Sequence, residues 1–580
     1  MMANKQIESQ PSKLNAVIFL ILRLLLAAAA IGTYYYFVLP PLNPMSEQFW
    51  IFLLFAAVCF ALAVRALNFS AHRQFFQNFD LIDVVSANAK QRSKMLKFPS
   101  WKKIFNGRVF SVIAYILIGV PIVVLVFGTV FSSVVLNATA YSEVITVEER
   151  DFNADMPETK EITNIALMDT NSARMLGDRK LGALSSVVSQ YVVSDDYTQI
   201  NYKGKPIKIT HLEYDGFFKW IGNRSSGIPG YIMVDTLGNT AEYYESSSGI
   251  RYAQSGYFED DLMRKLRFDY PTKIFDLQDV SFEVDEQGNP YYCISCYTPR
   301  VGLFGAYDVE ELIIFNPLDG TSTLYAVEDV PQWVDVVFDG DLACQKYDWQ
   351  GIYSGGFINS IIGNKGCKRT TDDFGYLMFD DDVWYFTGVT SVTSDASNIG
   401  FILSNARTGE YRFYSVIGAE EHSAMHAAEG EVQEKEYVAS FPSLVNISGV
   451  PTYIMVLKDN NGLVKLYALV NVRQYTMVAT GETQQDAVAA YLKMLSGAGV
   501  NTEDPAETEQ GSVTVADVKF LTLDGSTYAY VTAQDGNVYR VAFTEENEQI
   551  VLVRPGDVLE MTWQKGDIRI VRAWKRAGSF

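Results

Sequence analysis

The chain offers four histidines, and two of them, His422 and His426, stand four residues apart in "EEHSAMHAAEGEVQ", a segment of helical pattern that begins at Glu420. That spacing puts both imidazoles on one helix face, where with acidic neighbours they can hold zinc or nickel. Between them the chain reads Ser-Ala-Met, so the glutamate that acts as general base in His-Glu-x-x-His is missing. A coincidental surface pair is the competing reading. Cys293 and Cys296 form a Cys-x-x-Cys, a redox or metal motif when it opens a helix. Here it lies in "YYCISCYT", a strand pattern in which residues three apart face opposite sides of a sheet. With Cys344 and Cys367 they make a set of four with three possible pairings. A Cys344–Cys367 disulfide is the expected one, and four free thiols are the alternative. The run Asp380, Asp381, Asp382 can chelate calcium with further oxygens, or can be a solvated hairpin turn.

No Gly-x-Ser-x-Gly elbow, phosphate loop or Gly-x-Gly-x-x-Gly stands where a strand meets a helix. The expectation is therefore a protein with no catalytic residue, no cofactor and no metal beyond the candidate pair His422 and His426. Trp220, Trp333, Trp349 and Trp384, among 34 Tyr and 35 Phe, could line a groove for glycan or peptide or could be core and strand partners.

At 580 residues the chain is too long for one core and should divide into about three to five domains. Residues 1–136 carry 12 Lys/Arg against 4 Asp/Glu, a net of +8, which leaves −29 on the 444 residues that follow. Such an acidic body repels nucleic-acid phosphates, and no nucleic acid is expected as a partner. Three runs are long and apolar enough for helices in a bilayer, at about 15–38, 48–67 and 109–136. Tyr34, Tyr35, Tyr36 and Trp50 suit a membrane interface. The loop 68–108 holds eight Lys/Arg and the loop 39–47 holds none, so the basic loop and the amino terminus should stay cytoplasmic. The third helix then delivers about 137–580 to the outside. A cleaved signal peptide is the competing reading of the first run; it changes the number of spans, not the side of the body.

Beyond Val144 the pattern becomes short Val/Ile/Tyr/Phe strands separated by turn pairs. Two stretches nearly coincide, "GIPGYIMVDTLGNTAEYY" from Gly227 and "GVPTYIMVLKDNNGLVKLYALV" from Gly449. Four cassettes emerge, each a short helix followed by a strand and a hairpin: 137–256, 257–350, 351–418 and 419–497. The helices expected are "NSARMLGDRKLGALSS", "EDDLMRKLRF", "GGFINSIIG" and "EEHSAMHAAEGEVQ". One such unit would bury too little alone, so neighbours should pack together. The polar stretch 498–512 reads as a linker, and 513–580 alternates over five or six strands as a small β-barrel of SH3 or OB type.

The sentence "VSFEVDEQGNPYY" followed by "IIFNPLDGTSTLY" resembles the PepSY type of extracytoplasmic module, in which a helix packs on a hairpin ending in Asp-Pro-x-Thr-Gly. Asn316 stands in place of the usual Asp before Pro317, and the other cassettes lack that proline. More broadly, "VPQWVD", "GVTSVTSDASNIGF" and "PTYIMVLKDNNGLVKLYALVNV" resemble a group of uncharacterised multi-span membrane proteins of Gram-positive anaerobes, over about 110–495. The broader likeness implies location and modularity and brings no reaction with it; the PepSY likeness implies regulation of peptidases. The fold class expected is α+β: a three-helix transmembrane anchor, repeated helix-plus-antiparallel-sheet modules and a terminal barrel. The function expected is a non-catalytic, membrane-anchored binding or scaffold protein of the cell envelope, its partners the lipid bilayer and an envelope protein or a peptidoglycan or peptide ligand. A PepSY-like regulator of an envelope peptidase and a metal-dependent envelope hydrolase are the alternatives. Protease added to intact, wall-stripped cells should digest the chain beyond about residue 137 and spare the stretch around Lys97, as read by fragment masses.

Overall fold

The computed structural model describes residues 13–64, 107–156, 158–159, 167–185, 187–276, 280–371, 373–379, 381–460, 462–498, 500, 508–523, 526–543, 545–564 and 568–577. Most of the basic loop, Asp380 and residues 501–507 of the linker lie outside them.

Helices α1 (Lys13–Val38), α2 (Glu47–Ala63) and α3 (Gly107–Phe131) form the amino-terminal group. Two of them are long and apolar enough to cross a membrane, over Leu20–Val38 and Val112–Phe131. Helix α2 has 17 described residues, shorter than the run 48–67 expected, whose last residues lie outside the described ones. Ala61 and Ala114 bring α2 and α3 together. Leu25, Leu26, Val126 and Phe127 stand exposed on the outer faces, an apolar surface that water does not cover cheaply.

After Ser132 and Ser133 the chain turns into α4 (Val134–Ser142) and enters a β-rich body. Among the described residues its strands make four open sheets and one closed barrel. The first sheet holds β2 (Tyr191–Val193), β3 (Thr198–Tyr202), β4 (Lys205–Tyr214), β5 (Ile228–Asp235) and β6 (Thr240–Ile250). The second holds β7 (Ser281–Val284), β8 (Pro290–Val301), β9 (Gly305–Phe315) and β10 (Ser322–Ala326). The third is built on β11 (Lys368–Thr370), β12 (Gly375–Phe379), β13 (Asp382–Ser391), β14 (Ser394–Asn405) and β15 (Tyr411–Tyr414). The fourth comprises β16 (Val438–Ala439), β17 (Ser443–Ile447), β18 (Val450–Lys458), β19 (Val464–Asn471) and β20 (Val478–Gly481). Strands β21 (Thr508–Leu523), β22 (Ser526–Ala533), β23 (Val538–Ala542), β25 (Ile568–Arg576) and β24 (Val558–Gln564) close the barrel in that order.

The sheets pack in pairs, because each has one face that its own helix does not cover. A single core joins Ile209, Ile232 and Tyr231 of the first sheet to Phe282, Tyr292 and Ile313 of the second. Another joins Phe386, Phe401 and Leu403 of the third to Tyr453, Met455 and Val470 of the fourth. Between the third and fourth lies α9 (Glu421–Glu431), through Ala424 and Ala428. Helix α5 (Thr170–Gly182) covers the first sheet, α7 (Leu262–Asp269) adds Leu262 and Leu266 to the core of the first pair, and α10 (Gln484–Gly497) covers the fourth sheet with Tyr491 and Leu495.

Two elements sit elsewhere than their place in sequence suggests. Strand β1 (Val147–Arg150), inside the first cassette, pairs in parallel with β15 at the edge of the third sheet. The expected third-cassette helix "GGFINSIIG" is no covering helix but a single wide turn at Asn359–Gly363. Gly356, at φ +83°, breaks the chain just before it, and the stripe of Ile358, Ile361 and Ile362 stays exposed instead of covering a sheet. The cover comes instead from α8 (Gly340–Tyr353), inside the second cassette, whose Ala343 and Tyr347 pack on Val383 and Tyr385.

The repeated sentence has a physical content. Gly227 and Gly449 both take the left-handed backbone, φ +74° and +76°, so the chain can turn sharply into β5 and β18. Pro229 falls in a bulge between Ile228 and Gly230, where its missing N–H breaks no ladder bond. Tyr231 and Tyr453 then reach out of their own sheets in the same way. Tyr231 donates to Gly288 O at 2.8 Å and meets the Phe282 ring edge at 5.8 Å. Tyr453 donates to Ala419 O at 3.2 Å and meets Phe401 at 5.8 Å. Each repeat thus pins its sheet to its partner.

The body is joined to the helices by polar contacts. On α7, Arg264 Nε donates to Tyr36 O at 3.3 Å, and Arg267 Nε to Leu39 O at 2.9 Å. These guanidiniums satisfy carbonyls at the carboxyl end of α1, where a cation is favoured. Ser132 Oγ, at the α3–α4 break, accepts from the N–H groups of Leu303 and Phe304 in the β8–β9 turn, at 2.8 and 2.9 Å. Alanine at position 449 should cost ~1 kcal/mol, since its φ is strained but its Cβ meets open space. Alanine at 227 should cost more, because the same Cβ would lie 2.7 Å from Gly249 C and 2.8 Å from Ile250 O. Amide hydrogen exchange should accelerate more in β5 of Gly227→Ala than in β18 of Gly449→Ala.

Candidate functional site

Strand β4 sets a lysine into an otherwise apolar stretch, Ile207-Lys208-Ile209, and this side chain is 1% exposed. Lys208 Nζ donates to Thr170 Oγ1 at 3.2 Å and lies 4.7 Å from the centre of the Tyr376 ring. Among the described residues no carboxylate closes an ion pair on it. Burial pushes the Lys208 ammonium down to about 8, against the field of Asp169.

Around this amine lies a cavity of about 430 Å³ where three sheets meet. The first unit supplies Gln199, Lys208 and the start of α5, the third supplies Phe374 and Tyr376, and the fourth supplies Ser440 and Phe441. Asp169 caps α5 by accepting from Ser172 N at 2.8 Å and pairs with Lys458 of β18. Burial raises this carboxyl, but the Lys458 ammonium and the Ser172 donors outweigh burial and hold it below the ordinary value. A larger cavity, about 630 Å³, lies between the second and third sheets. Its lysine is already neutralised, Lys346 bonding Asp308 at 2.5 Å. The first cavity is the candidate site because its cation is still open to an anion.

His422 stands at the rim of this cavity on α9, and His426, one turn on, does not line it. Among the described residues no third His, Cys, Asp or Glu joins either of them in a metal-holding group. The expected disulfide is not formed: all five cysteines are free. The Cys367 thiol donates to Ile352 O at the end of α8 at 3.3 Å and accepts from Asn359 Nδ2 at 3.4 Å, so its partners are these two and not Cys344. Cys293 and Cys296 lie in different cores on the two faces of β8. Burial raises the Cys293 thiol and pushes Cys296 up to about 12. Neither calcium nor solvent claims Asp382: it is buried and takes two bonds from Arg407, at 2.9 and 2.8 Å. Trp220 and Trp384 are core, Trp333 pairs with Tyr291 at 5.0 Å and Trp349 with Tyr141 at 5.2 Å, so none of these four lines the cavity.

Sequence reasoning missed Lys208; its one signal was a cation interrupting a strand-like apolar run. Two groups of buried acids were missed as well. Glu283 of β7 accepts from Asp335 N at 2.8 Å and Val336 N at 3.1 Å, yet burial pushes it up to about 8. Burial and the neighbouring Glu283 also raise Asp335. Glu421, first residue of α9, is fully buried; among the described residues no well-aligned donor reaches either oxygen, and although nearby Thr371 and the Gly388 backbone oppose it, burial pushes the carboxyl up to about 7. Asn398 Oδ1 beside it is likewise an acceptor without a donor. A Cβ on Gly388 would stand 2.7 Å from both Asn398 Oδ1 and Glu421 Oε2, so glycine there is what admits the pair.

No family model matches the chain, and no curated protein does. Among solved structures it is similar to the Bacillus megaterium YpeB C-terminal domain, at 10% identity over 41% of this chain and 97% of that one, with a TM-score of 0.09. It is also similar to an ancestral GH74 enzyme, at 10% identity over 61% of this chain and 42% of that one, with a TM-score of 0.16. Likenesses at such scores carry no argument about fold or activity.

Glu421 has a raised carboxyl, so between its ordinary value of 4.5 and about 7 the folded state holds a proton that the unfolded state releases, and stability falls as pH rises through that window. Glu421→Gln, which keeps a donor for Asn398 without a charge, should raise the melting temperature of the full chain at pH 8 and leave it nearly unchanged at pH 4.

Proposed function

We propose that the chain is a membrane-anchored, extracytoplasmic binding protein of the cell envelope, and that its cavity takes the carboxylate end of an envelope peptide without turning it over. The observation that carries this reading is the buried Lys208 ammonium, whose direct partners are a hydroxyl and a ring; of the cavity's two carboxylates, Asp169 and Asp373, the first acts on it only at a distance and is ion-paired with Lys458. An anion is the ligand that such a cation favours most. Phe374, Tyr376, Met425 and Phe441 give the walls an apolar body to hold.

The anchor supports the location. The end of α1, the start of α2 and the end of α3 all lie on the body side, through Leu39, Met45 and Ser132. The ends of α2 and α3 that flank the basic loop then lie on the other side, and cations stay cytoplasmic. The hydrolase alternative finds no ligand set to join His422 and His426 among the described residues.

Calorimetry on the full chain in micelles, with N-acetyl-alanyl-phenylalanine as free acid and as amide, tests the reading. The acid should bind and the amide should bind at least tenfold more weakly. Affinity should be flat below about pH 8 and fall as pH rises above it, because Lys208 must be charged to hold the carboxylate. Lys208→Met should abolish the preference for the acid; equal affinity for both peptides in the native chain would sink the proposal.

A further inference from the structure

We infer that the body rests on the bilayer beside its anchor through two apolar feet: an aromatic one formed by Phe218, Ile221 and Phe258, and an isoleucine one formed by Ile358, Ile361 and Ile362. The inference rests on reading α1 and α3 as membrane-spanning. These six side chains are among the most exposed large apolar groups of the body, with Phe218 83%, Phe258 57%, Ile358 75% and Ile362 80% exposed. A folded protein leaves such patches open where something apolar covers them.

Their position names the cover. Arg264 ties the aromatic foot to the exit of α1: its Nη1 donates to Phe258 O at 2.6 Å, its Nε to Tyr36 O at 3.3 Å, and its guanidinium lies 4.1 Å from the Tyr36 ring centre. Phe268, also exposed, meets Tyr35 of α1 at 6.0 Å. On the other side, the isoleucine turn directly follows α8. The carboxyl half of α8 packs by Trp349 and Tyr353 against Tyr141 and Val134 of α4, the continuation of α3. Exposed Val135 and Leu136 carry the apolar band of α3 on toward that turn. Both feet therefore adjoin the level at which the anchor leaves hydrocarbon.

The aromatic foot is also built at a cost. Phe258 takes φ +54°, a left-handed backbone that an aromatic residue rarely adopts. The conformation sets its ring outward, over buried Trp220 at 5.8 Å. Lys219 follows Phe218 in the chain and Lys365 comes three residues after Ile362, so each foot has a cation near it in sequence. Aromatic and apolar groups with a lysine nearby suit a headgroup layer.

The test uses the full chain in vesicles of phosphatidylglycerol and phosphatidylethanolamine. A genetically encoded, environment-sensitive fluorescent residue replaces Phe218, Ile362, Phe127 of the anchor or Leu552 of the barrel, one at a time. Lipids brominated near the headgroup or near the bilayer centre serve as quenchers. Quenching at 127 by the deep bromines, with 218 and 362 quenched by the shallow bromines several-fold more than 552, supports the inference. Quenching at 127 with 218 and 362 no more quenched than 552 overturns the inference and leaves the anchor standing. An unquenched 127 overturns the anchor reading and the inference with it. Blue-shifted emission at 218 or 362 that the bromines do not quench would put a second copy of this chain over the patch, and would overturn contact with lipid.

Discussion

The joint between α1 and α7 is the constraint on which the rest of the molecule depends. Where an apolar helix ends, its last carbonyls need donors, and neighbouring apolar side chains have none to give. Arg264 and Arg267 meet that need from the body, and Leu42 N completes the joint by donating to Pro271 O at 2.6 Å. Arg267 is almost fully buried, with its guanidinium 3.9 Å from the Phe275 ring centre, so an ordinary surface residue has become part of a core. At the second exit the β8–β9 turn closes on Ser132, and Gly128 leaves the room that the Phe304 ring takes. The second sheet is thereby seated on the helices, and the first sheet follows it through their common core.

From that seat the architecture propagates by pairs. Each sheet is narrow and leaves a face uncovered, so the first closes on the second and the third on the fourth, with Tyr231 and Tyr453 serving as equivalent pins. The candidate cavity is a consequence of joining pairs, not of any one module: its wall needs β4, the start of α5, β12 and the approach to β17 together. An amine such as Lys208 can be held there because Thr170 Oγ1 and the Tyr376 ring meet it directly and the field of Asp169 favours its charged form against burial.

The buried acids occupy a related niche. Glu283 with Asp335 sits where the second sheet meets the first, through the bond from Asn201 N to Asp335 at 2.6 Å, and Glu421 sits between the third and fourth. At junctions between modules, buried carboxyls whose hold on the proton is raised couple the packing of neighbouring units to pH. Asp382 shows the contrasting solution, a buried carboxylate gripped by a two-pronged guanidinium.

Much was legible in the residues because it depends on local periodicity. Long apolar runs, the charge asymmetry about them, the hairpin turns and the doubled Gly-x-Pro-x-Tyr are properties of neighbours in the chain, and helix and strand formation respond to neighbours first. The opposite faces of Cys293 and Cys296 follow from the two-residue period of a strand alone. Which edge β1 would join, that α8 and not "GGFINSIIG" would cover the third sheet, that Cys367 would bond the end of α8, and that Lys208 would meet Thr170 and Tyr376 were decided only by tertiary packing. Those outcomes depend on surfaces brought together from up to 264 positions away, as in β1 and β15, and the free energy that selects among such encounters is burial, which no local pattern encodes.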